Sequence, residues 1–215
     1  MLATDKQVAA LVAEFKKGSR LVYKRGEFII RPGEAPSGIF YIEAGQVKAY
    51  NISKYGEENL LIIRREHEIF PLIWAITGQE RHIIYEAIGP TTVWRLGQDD
   101  FLELLHKHPD MTPVMLDMVT EMYRIHSERI LNLEYRSVRE RLISFLLSMA
   151  DRFGLPGSDG WVINAPLRQQ DIASSINASR ETTSRELGVL ERKGLIKNGQ
   201  GFITLLDLEK LKGQL

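Results

Sequence analysis

One stretch near the C-terminal end constrains the fold more than any other: residues 167–196, LRQQDIASSINASRETTSRELGVLERKGLI. Within it, Ile172, Ala173 and Ile176 share one face of a first helix, and Thr183, Leu187 and Leu190 share one face of a second. Two short helices with facing apolar stripes bury them against each other. Between them stands Asn177, one of the few non-glycine residues that tolerates the left-handed backbone needed to stop a helix abruptly. Ser179 then sits where its hydroxyl accepts an orphan N–H of the second helix, and Glu181 in the first turn suits the positive end of the helix dipole. The spacing predicts a helix-turn-helix, with its turn at Asn177 and its second helix starting at Ser179.

With Thr183, Leu187 and Leu190 turned inward, Arg180, Glu181, Ser184, Arg185 and Gly188 fall on or beside the outward face. An Arg fork matches the O6/N7 edge of guanine, and a carboxylate accepts from the N4 amine of cytosine, so Arg180, Glu181 and Arg185 are suited to reading base pairs. Charges alone leave a second reading open, an ordinary solvated face with an i,i+4 pair between Glu181 and Arg185.

The run from Gln169 to Ile196, with Ser179-Arg180-Glu181-Thr182 followed by Arg185, resembles the DNA-binding helices of the cyclic-AMP receptor protein / fumarate-nitrate reductase regulator (CRP/FNR) family. The resemblance implies base recognition by Arg180, Glu181 and Arg185, with Gln169, Gln170 and Ser179 near phosphates. Arg168 stands where the family has a Thr or Ser cap. The first helix is therefore expected to lose that cap, with Arg168 meeting a phosphate instead.

The chain of 215 residues, 44% hydrophobic and 26% charged, is long enough for two modest domains, each with a core. It contains no Cys, which excludes disulfides, thiolate zinc sites, cysteine nucleophiles and the cysteine-ligated iron–sulfur cluster that some family members use. The N-terminal segment carries Asp5, Lys6, Glu14 and Lys16 in an amphipathic pattern unlike a signal peptide, and no stretch is apolar enough to span a membrane; a cytoplasmic location is expected. Net charge is zero, which argues against a bulk polyelectrolyte binder of nucleic acid. A sequence-specific reader needs only local positive charge, and residues 167–197 carry six basic against four acidic side chains.

Upstream, Val8, Leu11, Val12 and Phe15 mark one face of a short helix that Gly18 ends. From Leu21 to Leu96 the pattern changes to short β-prone runs at 28–30, 39–42, 47–52, 60–63, 83–87 and 92–96, with Gly26, Gly33, Gly38 and Gly45 in the turns. The stretch Gly38-Ile39-Phe40-Tyr41-Ile42-Glu43-Ala44-Gly45 resembles the glycine-flanked strand of the cyclic-nucleotide-binding β-roll. In nucleotide-binding relatives a Gly-Glu pair holds the ribose and an Arg-Ser pair the cyclic phosphate. Here Arg81 keeps the phosphate position, but Phe70-Pro71 replaces Gly-Glu and His82 follows the arginine. Proline offers no side-chain donor or acceptor, so cyclic AMP is disfavoured. Phe70, Leu72, Ile73, Trp74 and Ile76 make the segment apolar, consistent with a pocket for a less polar ligand or with a filled core.

Asp99 to His106 reads as a short helix, and Thr112-Pro113 as the cap and first residue of a long one. Met115, Met118, Met122, Ile125 and Arg129 then recur at the spacing of a two-helix seam, predicting a homodimer; the other reading packs that stripe on the chain's own β-roll. Ser127 falls where nucleotide-binding relatives contact the base, with His126 beside it. His82 and His126 raise haem ligation as a further reading, although neither shows metal-ligand spacing. Residues 133–136 read as a hinge, and Ser137-Val138-Arg139-Glu140 as a capping box opening a helix that buries Val138, Leu142, Phe145, Leu146 and Met149. Residues 154–160 read as a loop and 161–163 as a strand. Residues 194–205, turning at Asn198-Gly199-Gln200-Gly201, form a hairpin wing, and 206–215 close as a short helix.

The expected architecture is α+β: a β-roll sensor over 1–110, a dimerisation helix and hinge over 111–136, and a winged helix-turn-helix over 137–215. The resemblance implies a dimeric, sequence-specific DNA-binding transcription regulator on a palindromic operator, with a small-molecule effector and RNA polymerase as partners. The effector pocket would draw on Phe70, Trp74, Arg81, His82, His126 and Ser127. A ligand-independent regulator of the same fold is the alternative within the class. An enzyme is the alternative outside it, but no nucleophile–base pairing, carboxylate pair or phosphate loop supports one.

Overall fold

The computed structural model describes residues 2–199 and 201–215. Two compact units emerge, one comprising residues up to Asn51 with Leu61–Ile125, the other Ile52–Leu60 with His126–Leu215.

The first unit opens with α1 (Asp5–Phe15), started by Thr4, whose hydroxyl accepts from Gln7 N–H while the Gln7 side chain accepts from Thr4 N–H. Eight strands follow: β1 (Ser19–Tyr23), β2 (Phe28–Ile30), β3 (Ile39–Ala44), β4 (Val47–Ile52), β5 (Glu58–Arg64), β6 (Ile69–Phe70), β7 (Ile84–Ala87) and β8 (Thr91–Leu96), with α2 (Leu72–Thr77) between β6 and β7 and α3 (Gln98–Lys107) after β8. They form two four-stranded sheets in the orders β1-β8-β3-β6 and β2-β7-β4-β5. Strand β3 shows why the expected run at 39–42 is apolar throughout. Phe40 and Ile42 enter a cluster with Val47, Tyr85 and Val93, whereas Ile39 and Tyr41 enter a second with Leu11, Phe15, Phe101 and Met111 from the helices. Successive side chains of a strand point to opposite faces, so a strand covered on both must be apolar at every position. Gly45 links β3 to β4 at φ 92°, and a Cβ there would lie 2.4 Å from the Pro90 carbonyl oxygen, so this turn admits only glycine.

Thr112 does not cap the long helix. A 3₁₀ turn at Pro109–Met111 leads directly into α4 (Thr112–Tyr135), and Thr112 is already helical at φ −53° and ψ −42°. The expected hinge also shrinks: α4 runs through Tyr135, so the break falls at Arg136 and Ser137.

The second unit holds α5 (Val138–Phe153), β9 (Gly154–Pro156), β10 (Trp161–Ile163), α6 (Gln169–Ser175), α7 (Arg180–Arg192), β11 (Ile196–Asn198), β12 (Ile203–Leu205) and α8 (Leu208–Lys212). Its sheet runs β11-β12-β10-β9, so the expected loop after Phe153 contributes an edge strand. Ser137 and Glu140 form the predicted capping box at α5. That helix buries Ile143 rather than Phe145, alongside Leu142, Leu146, Met149 and Phe153. β11 and β12 make the hairpin; Gln200, in its expected turn, lies outside the described residues.

Candidate nucleic-acid interface

Ile172 and Ala173 on α6 and Thr183, Leu187 and Leu190 on α7 are buried, as their spacing requires. Asn177 takes φ 50°, and Ala178 N–H returns to the Ala173 carbonyl at 3.0 Å, closing the turn. Ser179 is the N-cap of α7, its hydroxyl accepting Thr182 N–H at 3.1 Å. Thr183 is wholly buried, and its hydroxyl donates to the Ser179 carbonyl at 2.9 Å, so a polar side chain can occupy an apolar stripe.

Arg180, Glu181, Ser184 and Arg185 are exposed, and Gly188 is half-buried. Arg185 approaches Glu186 at 3.9 Å, not Glu181 as the i,i+4 alternative required. The Glu181 carboxyl lies below the usual carboxylate range because its own backbone N–H, then the Ser179 hydroxyl and Arg180, favour the charged form. It is therefore an ionised acceptor at neutral pH.

The cap expected to be missing from α6 is supplied from the other side. Asp171, three residues after Arg168, is 6% exposed and accepts from Arg168 N–H at 3.0 Å. It also accepts from Arg168 Nε at 3.0 Å and Nη2 at 2.8 Å, so the guanidinium folds back over the helix start. Gln170 is exposed and Gln169 half-buried in the same first turn.

Three contacts of this unit have no signature in the sequence. Arg168 Nη2 reaches Glu58 on the β4–β5 hairpin tip at 3.0 Å. Arg129, placed by spacing on the dimer seam, instead donates to the Leu60 carbonyl at 2.7 Å, Asn59 Oδ1 at 2.9 Å and the Ser174 carbonyl at 3.4 Å. Burial pulls its pKa below the usual guanidinium value. Arg139 on α5 holds Glu186 on α7.

On the sensor side, Phe70 is fully buried and stacks on Tyr85 at 4.6 Å and Phe40 at 5.3 Å, inside the two-sheet cluster. Trp74 packs against the other cluster, with the helices, so the structure does not bring Phe70 and Trp74 into one pocket. Arg81 and His82 are exposed, His82 at φ 50°. Burial raises the Tyr85 pKa, with Arg64 and Arg81 opposing it. His126 and Ser127 are half-buried on α4, within the second unit. Among the described residues, no group of three or more His, Asp or Glu is placed to hold a metal.

A cyclic nucleotide-binding domain matches residues 20–108, and a Crp-like helix-turn-helix domain matches residues 140–213. The global nitrogen regulator of Synechocystis sp. is 30% identical over 212 residues, covering 95% of this chain and 93% of that protein. The chain belongs to the CRP/FNR family of transcription regulators.

The global nitrogen regulator of Synechococcus elongatus is 28% identical to this CRP/FNR regulator over 220 residues, covering 100% of this chain and 99% of that one. In fold it is similar to a CooA variant from Carboxydothermus hydrogenoformans, with a TM-score of 0.79, 21% identity, and 98% and 96% of the two chains covered. It is similarly close to FixK2 from Bradyrhizobium japonicum, with a TM-score of 0.78, 21% identity, and 91% and 96% covered. CRP/FNR regulators bind DNA and act as dimers, and the relatives are regulators rather than enzymes. No helix among the described residues is long and apolar enough to cross a membrane.

On α4 the residues of the expected seam differ in their surroundings. Met115 is 7% exposed within the first unit's core, Met118 packs against the same cluster, and Ile125 against the two-sheet cluster. Exposed apolar side chains on α4 include Leu116, Val119, Tyr123 and Ile130, at steps of three, four and seven, and, near its C-terminal end, Leu131, Leu133 and Tyr135. Met115, Met118 and Ile125 thus pack on the first unit's own core, while Met122 is half-buried outside both clusters.

Proposed function

We propose that this CRP/FNR regulator reads a palindromic operator as a homodimer, with Arg180, Glu181 and Arg185 of each α7 in the major groove. Arg168, Gln169, Gln170 and Ser179 meet phosphates. The observation that carries this reading is the division of α7. Thr183, Leu187 and Leu190 are buried, while two guanidiniums and an ionised carboxylate stand exposed at the N-terminal end, the end that enters the groove in this motif. Leu116, Val119, Tyr123 and Ile130 form the dimer seam, and Met122, half-buried, flanks it. An operator read by a two-fold dimer is palindromic for the same reason.

RNA polymerase is the downstream partner, and the protein works in the cytoplasm. An effector acts at the β-roll, and its chemistry is not that of cyclic AMP. Pro71, at the position where the sequence resemblance puts the ribose-holding Glu, is buried, and Phe70 beside it is stacked between two rings. Calorimetric titration with cyclic AMP tests this directly: no heat of binding is expected, and micromolar affinity would reverse it. The DNA reading is tested by gel shifts at fixed salt with operator and scrambled duplexes. Arg180→Ala and Arg185→Ala should narrow the gap between the two duplexes, and an unchanged gap would contradict the assignment.

A further inference from the structure

The β4–β5 hairpin tip, Ile52–Leu60, belongs to the compact unit that contains the DNA-reading helices, and it is bonded to both ends of α6. At the C-terminal end, Leu60 N–H donates to Ser174 Oγ at 3.3 Å, and Arg129 joins Asn59, Leu60 and the Ser174 carbonyl through one guanidinium. At the N-terminal end, Glu58 takes Arg168 Nη2 at 3.0 Å. Asp171 lies beneath the same guanidinium, accepting from Nε and Nη2.

We propose that Glu58 is a built-in competitor for DNA: its carboxylate occupies the Arg168 donor that a backbone phosphate takes in the complex. This rests on the reading of Arg168 as a phosphate contact. The two carboxylates around Arg168 have different roles because they differ in burial. Asp171, with 8% of its side chain exposed, is a fixed support that keeps the guanidinium plane in place. Glu58, at 34%, and Arg168, at 49%, form a half-exposed pair. Pairs of this kind are weak and screened by salt, so a phosphate oxygen can displace the carboxylate, at a cost that lowers affinity. When Glu58 leaves, Asp171 still aims the fork, and the Arg129 bonds hold the tip close enough for Glu58 to return. The tip thus restrains the reading unit without blocking the α7 face. Because phosphate contacts are indifferent to sequence, the restraint acts equally on operator and random DNA.

The test is a double-mutant cycle on the full-length protein, with dissociation constants measured by fluorescence anisotropy on operator and random duplexes. Glu58→Gln keeps the size of the side chain and removes its charge. It should tighten binding to both duplexes by roughly two- to fivefold. In an Arg168→Ala background the same substitution should change nothing, whereas simple removal of a negative charge near DNA would tighten binding in both backgrounds. Glu57→Gln, a charge-matched change in the same tip, should leave affinity unaltered. No tightening by Glu58→Gln, or equal tightening with and without Arg168, overturns the competitor. The underlying reading fails separately: if Arg168→Ala does not weaken binding even with Gln at position 58, Arg168 contacts no phosphate.

Discussion

Arg139 on α5 donates from Nε to Glu186 Oε2 on α7 across 2.7 Å, with the glutamate side chain only 12% exposed. The other carboxylate oxygen of the same glutamate lies 3.9 Å from Arg185 Nε. Arg139→Ala should let Glu186 close on Arg185 and compete with DNA, weakening operator binding by on the order of 1 kcal/mol. Adding Glu186→Gln should restore affinity. Anisotropy titrations of the two variants decide it; a double variant no tighter than Arg139→Ala would show that the effect has another cause.

The turn before α7 makes a stability prediction. Ser179→Ala removes the acceptor for Thr182 N–H and should cost about 1 kcal/mol. Asn177, at φ 50°, should accept glycine with little change, whereas a β-branched side chain there is strained. Urea midpoints for Ser179→Ala, Asn177→Gly and Asn177→Val should therefore fall in the order Gly highest and Val lowest of the two at 177, with Ser179→Ala clearly below wild type.

Along α4, charge placed on the two stripes should give different failures. Val119→Glu with Tyr123→Glu sets carboxylates against each other across the two-fold axis and should yield folded monomers in sedimentation. Met115→Glu buries a carboxylate in the first unit's own core and should lower the unfolding temperature instead. A dimer that survives the first pair would remove the seam assigned to Leu116, Val119, Tyr123 and Ile130.

Lys48 is 2% exposed, 3.1 Å from Glu86 and 4.3 Å from the centre of the Tyr50 ring, while Tyr50 donates to the same carboxylate at 3.0 Å. Removing one member of a buried ion pair costs far more than replacing both. Glu86→Leu should destabilise by on the order of 3 kcal/mol, and Lys48→Met with Glu86→Leu should recover most of it. Chemical denaturation of the three proteins measures the difference.

What the sequence reveals follows the range of the interactions involved. The α7 stripe of Thr183, Leu187 and Leu190 repeats within one helix, and Asn177 and Ser179 act on their immediate neighbours, so all are legible. Strand β6, two residues long, is too short to show a period. The proposed seam differs from the methionine spacing because α4 is apolar on adjacent faces: one meets the chain's own core, the other is exposed, and spacing alone does not say which. The Asp171 cap lies three residues on and is local, but an N-cap search stops at Arg168. Glu58 and Arg168 are separated by 110 residues. Nothing periodic connects them, and Arg129 reads as a seam residue until its partners at Asn59 and Leu60 are seen.

Base reading by α7 is decided by selection from random duplexes at fixed salt. Family members carrying Arg, Glu and Arg at these positions, as the sequence resemblance implies, read a TGTGA-like half-site. The wild type should therefore enrich an inverted repeat of that kind, with half-site centres about 34 Å apart. Arg180→Ala and Arg185→Ala should each relax one position, worth roughly 1–3 kcal/mol of discrimination, and Glu181→Ala should blur the choice of a single pair. Arg168→Ala should enrich the same sequence with lower affinity. An unrelated consensus, or α7 variants that lose affinity equally for every sequence, would contradict base reading by this helix.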